Sequence, residues 1–190
     1  MIKHLSSAAL FLIMLITNSC IKEPLPVNES ELITTVQLTL TDTASPYNSY
    51  SITFRDLDGD GGEDALLTPD SLRLPAGKTF NASLLLLDER NLETDTINTE
   101  ISEENTAHQF FYLPTPADAI INLSYLDFDV DGKPLGLEFS CQTKPSAANG
   151  ALKIILRHTP DKNGTGVSEN DITHAGGETD IEIAFPISVR

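Results

Sequence analysis

The sequence predicts an all-β fold: an antiparallel β-sandwich of about eight strands, with immunoglobulin-like packing of two sheets, behind an N-terminal signal segment. Three observations carry that expectation. Apolar side chains recur at every second position from residue 31 onward, the period of a half-buried strand. No stretch sustains a helical period. The 11 glycines and 11 prolines are spread through the chain, as turns between short strands require. A small barrel is the other architecture this spacing allows.

The first twenty residues, "MIKHLSSAALFLIMLITNSC", read as an export signal. Lys3 and His4 precede an apolar run from Ala8 to Ile16, too short to span a bilayer. Ser19 then Cys20 resembles the end of a bacterial lipoprotein signal, in which the cysteine is lipidated and becomes the new N-terminus. Thr17 stands where leucine is usual, and Ser19 fits the looser form of Bacteroidota. We therefore expect a signal peptide over 1–19, a lipid on Cys20 and a tether over 20–30. "IKEPLPVNES" suits the tether, with two prolines and few apolar side chains.

Residues 31–190 are expected to form one domain, and "LPTPAD" near 115 would mark the boundary if there were two. "TTVQLTLTD" sets Val36, Leu38 and Leu40 on one face. "YSITF" continues with Ile52 and Phe54. "KTFNASLLLLDE" alternates, then turns apolar on both faces at Leu84 to Leu87, as a strand buried on both sides would. "HQFFYLP" is short and aromatic. "AIINLSYLDFDV" and "PLGLEFSCQT" flank the hairpin connection "DVDGKP". "NGALKIILRH" is expected to follow a turn at Asn149-Gly150. In "TDIEIAFPISV", Ile181, Ile183, Phe185, Ile187 and Val189 share a face. Pro186 places that strand at an edge, or the proline on an unpaired side. The polar connection 159–178 is too long for a plain turn and is expected to be functional or mobile.

Composition narrows the function. Residues 1–19 hold one basic residue counted in the charge, Lys3, so the mature chain has 11 basic and 28 acidic residues, a net charge of −17. That argues against binding nucleic acid or anionic headgroups by charge. Cys141 is the only cysteine besides Cys20 and shares parity with Leu135, Leu137 and Phe139, which suits a buried thiol. No GxSxG elbow, P-loop or GxGxxG is present, so no catalytic residue is assigned and a binding role is expected.

Two sets of side chains are candidate metal ligands. In "DLDGDGGED", Asp56, Asp58 and Asp60 alternate as calcium ligands do, and Asp64 falls at position nine of an EF-hand loop. Leu67 stands where the closing glutamate is required, so an EF-hand is excluded. A β-loop calcium site would need a further carboxylate, with Asp70 or the run Asp127, Asp129, Asp131 as sources. The second set is His108 and His158. His158 shares parity with Leu152, Ile154 and Leu156 and is expected to point inward. A zinc or copper site there would have to be assembled by the fold, because no HExxH or CxxC spacing is present. A histidine hydrogen-bonded at a sheet rim is the plainer expectation. Asp42-Thr43-Ala44, Asp70-Ser71-Leu72 and Asp95-Thr96-Ile97 also match a short O-glycosylation pattern of exported Bacteroidota proteins.

Taken in order, "ELITTVQLTLTD", "RDLDGDGGED", "LLLLDE", "EISEENTAHQFFYLP" and "LRHTPDKNGTGVSENDITHAGGETDIEIAFPISV" resemble the blocks of a family of small Bacteroidota lipoproteins. The resemblance implies lipid anchoring at the outer membrane, with the face left open. It also implies an accessory role beside a TonB-dependent receptor. Some members are labelled type 1 periplasmic-binding-fold proteins. That fold is a two-lobed α/β structure, and the strand pattern here predicts otherwise. The alternative function is capture of a metal ion, Ca²⁺, Zn²⁺ or Cu²⁺.

Overall fold

The computed structural model describes residues 32–59, 62–116 and 119–190. Cys20, the signal segment and Asp60 lie outside the described residues.

Two sheets form the sandwich. The strands of the first are β1 (Thr35–Asp42), β2 (Ser49–Arg55), β3 (Leu66–Thr68), β5 (Thr79–Asp88), β6 (Asp95–Thr96), β8 (Ile120–Tyr125) and β9 (Glu138–Thr143). Their order is β3-β2-β1-β5-β9-β8, with β6 beside β5. The second sheet holds β4 (Leu72–Leu74), β7 (His108–Thr115), β10 (Ala148–His158) and β11 (Glu178–Val189), in the order β4-β11-β10-β7. Within this lies a seven-strand immunoglobulin topology. β1-β5-β9-β8 follow the order A-B-E-D, and β7-β10-β11 the order C-F-G. The β2–β3 hairpin widens the first sheet, and β4 runs parallel to β11.

The period-two pattern explains the core. Val36, Leu38 and Leu40 of β1 and Phe80, Leu84 and Leu86 of β5 bury one face. They meet Phe110 and Tyr112 of β7, Leu152 and Ile154 of β10, and Phe185 of β11 in one cluster drawn from both sheets. Truncating Leu38 to Ala would cost about 2–5 kcal/mol. The opposite face of β1 and β2 is polar, with Gln37–Thr53 and Thr39–Ser51 hydrogen bonds across the pair.

Four expectations are corrected. Eleven strands are present among the described residues, and the added β3, β4 and β6 are two or three residues long, too short to show a period. A two-turn helix, α1 (Ile97–Glu103), buries only Ile97 and Ile101, one apolar pair at i and i+4. Leu84 to Leu87 are not buried on both sides: Leu85 is 38% exposed because only one face of β5 meets the other sheet. Asn149 and Gly150 form no turn but lie inside β10, opposite Ser188 and Ile187, and the bend falls at 145–146.

β11 is interior, paired with β10 and β4. Pro186 is accommodated because its β4-facing side carries only the Ser71 hydroxyl, donated to the Pro186 carbonyl; the parallel ladder begins at Ile187.

The long connection after β10 is a packed cover, built on short 3₁₀ turns at Val167–Glu169 and Ile172–His174. Val167 and Ala175 close over Phe111 and Ile155 on the outer face of the second sheet. β7 is the edge strand there, and Asn170 seals it. Its side-chain amide donates to the Tyr112 carbonyl at 2.6 Å, and its oxygen accepts from the Tyr112 amide at 2.8 Å. A single side chain thus occupies the edge as a further strand would.

Candidate functional site

The strand directions send the chain out at one end of the sandwich after β2, β5, β8 and β10. Leu32, at the entrance to β1, lies at the same end. The candidate ligands among the described residues sit at this pole, and the structure sorts them.

His108 opens β7 and His158 closes β10, and the two face each other in register. Each has the inward parity of its strand. Their rings stand 4.7 Å apart, edge to face. A third side chain joins them that the sequence did not single out. Asp180 has the parity of the outward Glu182, yet its carboxyl is only 2% exposed. A register shift explains this. Leu156 pairs with Ile181 and Arg157 with Thr179, so Asp180 is the extra residue of a bulge. Bulges re-aim a side chain, and here the carboxyl swings between the two imidazoles. Its Oδ2 lies 3.9 Å from His108 Nε2 and 3.7 Å from His158 Nδ1.

The surroundings set the charge states. Nδ1 of His108 lies 3.2 Å from the Glu104 carbonyl, which only accepts, so Nδ1 carries the proton. Burial pulls the His108 pKa down, against the Glu104 hydrogen bond and with help from His158. Burial pushes the Asp180 carboxyl up, against the attraction of His158. Both shifts disfavour charge. Asp180 Oδ2 and His158 Nδ1 are buried without a hydrogen-bond partner. Both Asp180 contacts, at 3.7 and 3.9 Å, are too long for a hydrogen bond. Among the described residues, His108, His158 and Asp180 are the one group of three or more such side chains with ligand atoms close enough to share an ion.

Comparison with protein-family models, curated proteins and solved structures finds no match to this chain. The resemblance to Bacteroidota lipoproteins therefore stands on the quoted blocks alone.

The acidic loops behave differently. Asp56 Oδ1 accepts from the amides of Asp58 and Gly59, and Asp58 Oδ2 from that of Glu63. The described residues of the loop are thus tied to the Asp56 and Asp58 carboxylates. A Cβ on Gly62 would lie 2.2 Å from the Asp58 carboxyl carbon, so a larger residue there would push that carboxylate out of its turn. Asp64 is exposed. The Asp127–Asp131 run is likewise engaged. Asp127 accepts from the amides of Gly136 and Leu137, and Asp129 from those of Asp131 and Lys133. Asp129 also meets the buried Lys162 ammonium at 2.9 Å. Among the described residues, the two acidic runs share the pole but bring no three ligand atoms together. Four strand positions separate β2 from β8, on the order of 19 Å.

Turning these carboxylates inward has a consequence for the residues between them. Leu126, Phe128 and Val130 stand outward, 45%, 56% and 81% exposed. They form an apolar ridge at the pole. Beside it opens a cavity of about 320 Å³ lined by Tyr112, Leu123, Tyr125, Phe128, Phe139 and Asn170.

Proposed function

We propose that this protein is an exported, outer-membrane-anchored lipoprotein acting as a binding module, docked on a receptor protein of a TonB-dependent uptake system. One observation carries the reading: the apolar ridge of Leu126, Phe128 and Val130 stands at the same pole where the chain enters the fold at Leu32. Leu32 is twelve residue steps from Cys20, so a lipid on Cys20 would hold that pole within about 40 Å of the bilayer.

Exposed apolar patches of this kind mark interaction sites. The partner to which we commit is a protein. A chain of net charge −16, or −17 once Lys3 is removed with the signal, is repelled by anionic headgroups. The ridge is flanked by exposed Asp131, Glu138 and Glu169. Its complement is an apolar groove with a Lys/Arg rim. The reading assigns no catalysis. Cys141 is core, with its thiol pushed up to about 12 by burial, which suits packing and not attack.

Cross-linked capture from outer-membrane extracts tests this. The wild-type chain should recover a membrane protein. The double substitution Phe128→Glu, Val130→Glu should lose it while melting as the wild type does. Recovery unchanged by the substitutions, or no membrane protein with the wild type, sinks the reading.

A further inference from the structure

We propose that His108, His158 and Asp180 form a binding site for a small divalent transition-metal cation, with zinc as the first candidate. Two imidazole nitrogens and one carboxylate oxygen are a zinc donor set that leaves a fourth position for water or a ligand. Imidazole donors also disfavour Ca²⁺ and Mg²⁺, which take oxygen.

The geometry fits with small movements. Zinc bonds of about 2.0–2.2 Å place tetrahedral ligand atoms about 3.4 Å apart. The two contacts of Asp180 Oδ2 are 3.7 and 3.9 Å, and all three ligand atoms lie within 4.8 Å of one another. Drawing them onto an ion requires each ligand atom to move inward by about 1 Å or less. The tautomer is also right. His108 Nδ1 donates to the Glu104 carbonyl, so its Nε2 presents a lone pair toward Asp180. A backbone carbonyl orienting a ligand histidine in this way is the usual outer-shell arrangement. The second, independent observation is that Asp180 Oδ2 and His158 Nδ1 are buried and unpartnered. Native interiors rarely leave such atoms so, and an ion between them would satisfy both.

The cluster borders a larger opening at the same pole. Asp180 also lines a cavity of about 580 Å³, whose walls include Thr179, Ile181 and Glu182 on one side and Asp56–Gly59 on the other. Its charged side chains are Asp56, Asp58, Asp180 and Glu182, against one guanidinium, Arg90; Arg90 is paired with Asp88 and Glu182 with Lys153, which leaves the Asp56 and Asp58 carboxylates to set the sign of the mouth. An acidic mouth concentrates cations. On this account the Asp56–Gly59 turn serves entry.

The site is independent of receptor docking, since the purified chain needs no partner to bind zinc. The test uses that chain after dialysis against a chelator. Zinc titrated by calorimetry should bind at one per chain and raise the melting temperature. Cobalt should give the visible absorption of a tetrahedral nitrogen–oxygen site. His158→Gln and Asp180→Asn should each weaken zinc about 100-fold and abolish the cobalt bands. Asp56→Asn with Asp58→Asn should keep the stoichiometry and slow association. If a site variant fails to fold, the wild-type cobalt spectrum decides. Tetrahedral bands uphold the site, and an octahedral aquo-like spectrum overturns it. No zinc heat in the wild type, or zinc binding undiminished in folded His158→Gln and Asp180→Asn, also overturns it.

Discussion

His158 Nδ1 and Asp180 Oδ2 face each other across 3.7 Å, both buried and neither hydrogen-bonded. The relationship depends on the chain just before the bulge. Gly177 has φ +69°, and a Cβ there would lie 2.2 Å from the His158 carbonyl oxygen. Gly177→Ala therefore meets both left-handed strain and a backbone collision. It should cost about 1–3 kcal/mol in urea unfolding and shift the His158 imidazole resonances. Unchanged stability and unchanged resonances would show that the end of β10 is looser than described.

The Asn170 seal on the edge of β7 is the second test. Asn170 has φ 71°, so Asn170→Gly removes the side chain while suiting the backbone. The Tyr112 amide and carbonyl lose their partners, at a cost of about 1–3 kcal/mol. Asn170→Ala should cost more, by about 1 kcal/mol of left-handed strain. Equal stability of Asn170→Gly and wild type by denaturant titration would mean that water replaces the seal.

The Asp129–Lys162 pair gives a pH test. Burial alone would raise Asp129, but hydrogen bonds from Lys162 and the Lys133 amide outweigh it and hold the carboxyl below its ordinary value. A depressed carboxylate contributes stability that is full above its unfolded pKa, about 3.9, and lost as pH falls through its lower folded value. Lys162 is lowered by burial, offset in part by Asp129. Asp129→Asn should therefore flatten the acid limb of the stability curve below about pH 4. It should also cost about 3–5 kcal/mol at neutral pH, because it leaves a buried ammonium without a counter-charge. Pairing it with Lys162→Met should recover part of that loss. An additive double mutant would show that the two groups do not interact.

The ridge should behave as surface. Phe128→Ser and Val130→Ser should each change stability by no more than about 0.5 kcal/mol, read by thermal and urea unfolding. A larger loss would make the ridge part of the core and remove the reason to read it as a contact surface.

Much of the sandwich was legible because burial on one face writes itself into alternate residues, as in Val36, Leu38 and Leu40 or Ile183, Phe185 and Ile187. The same parity rule turns His108 and His158 inward, and strand pairing then brings them together. Asp180 escaped because its position depends on one inserted residue in β11, and parity read through a bulge gives the wrong face. The edge seals escaped for another reason. Asn170 binds Tyr112, and Asn98 binds the Leu84 carbonyl and Leu86 amide where β5 outruns β9, through long-range contacts without a local pattern. Leu126, Phe128 and Val130 invert the usual sense of alternation. The signal was the alternation with aspartates, and its direction is set by Lys162, thirty-three residues from Asp129.

Docking through the loop pole would set Phe128 against the receptor. Site-specific photo-cross-linking in intact cells tests it most directly, with the photoreactive side chain placed at Phe128 or at Tyr47. Tyr47 is fully exposed in the β1–β2 turn at the opposite end, and so serves as the matched control. The account predicts an adduct with an outer-membrane protein from position 128 and none from position 47. Adducts from position 47 alone, or from neither position, would contradict it.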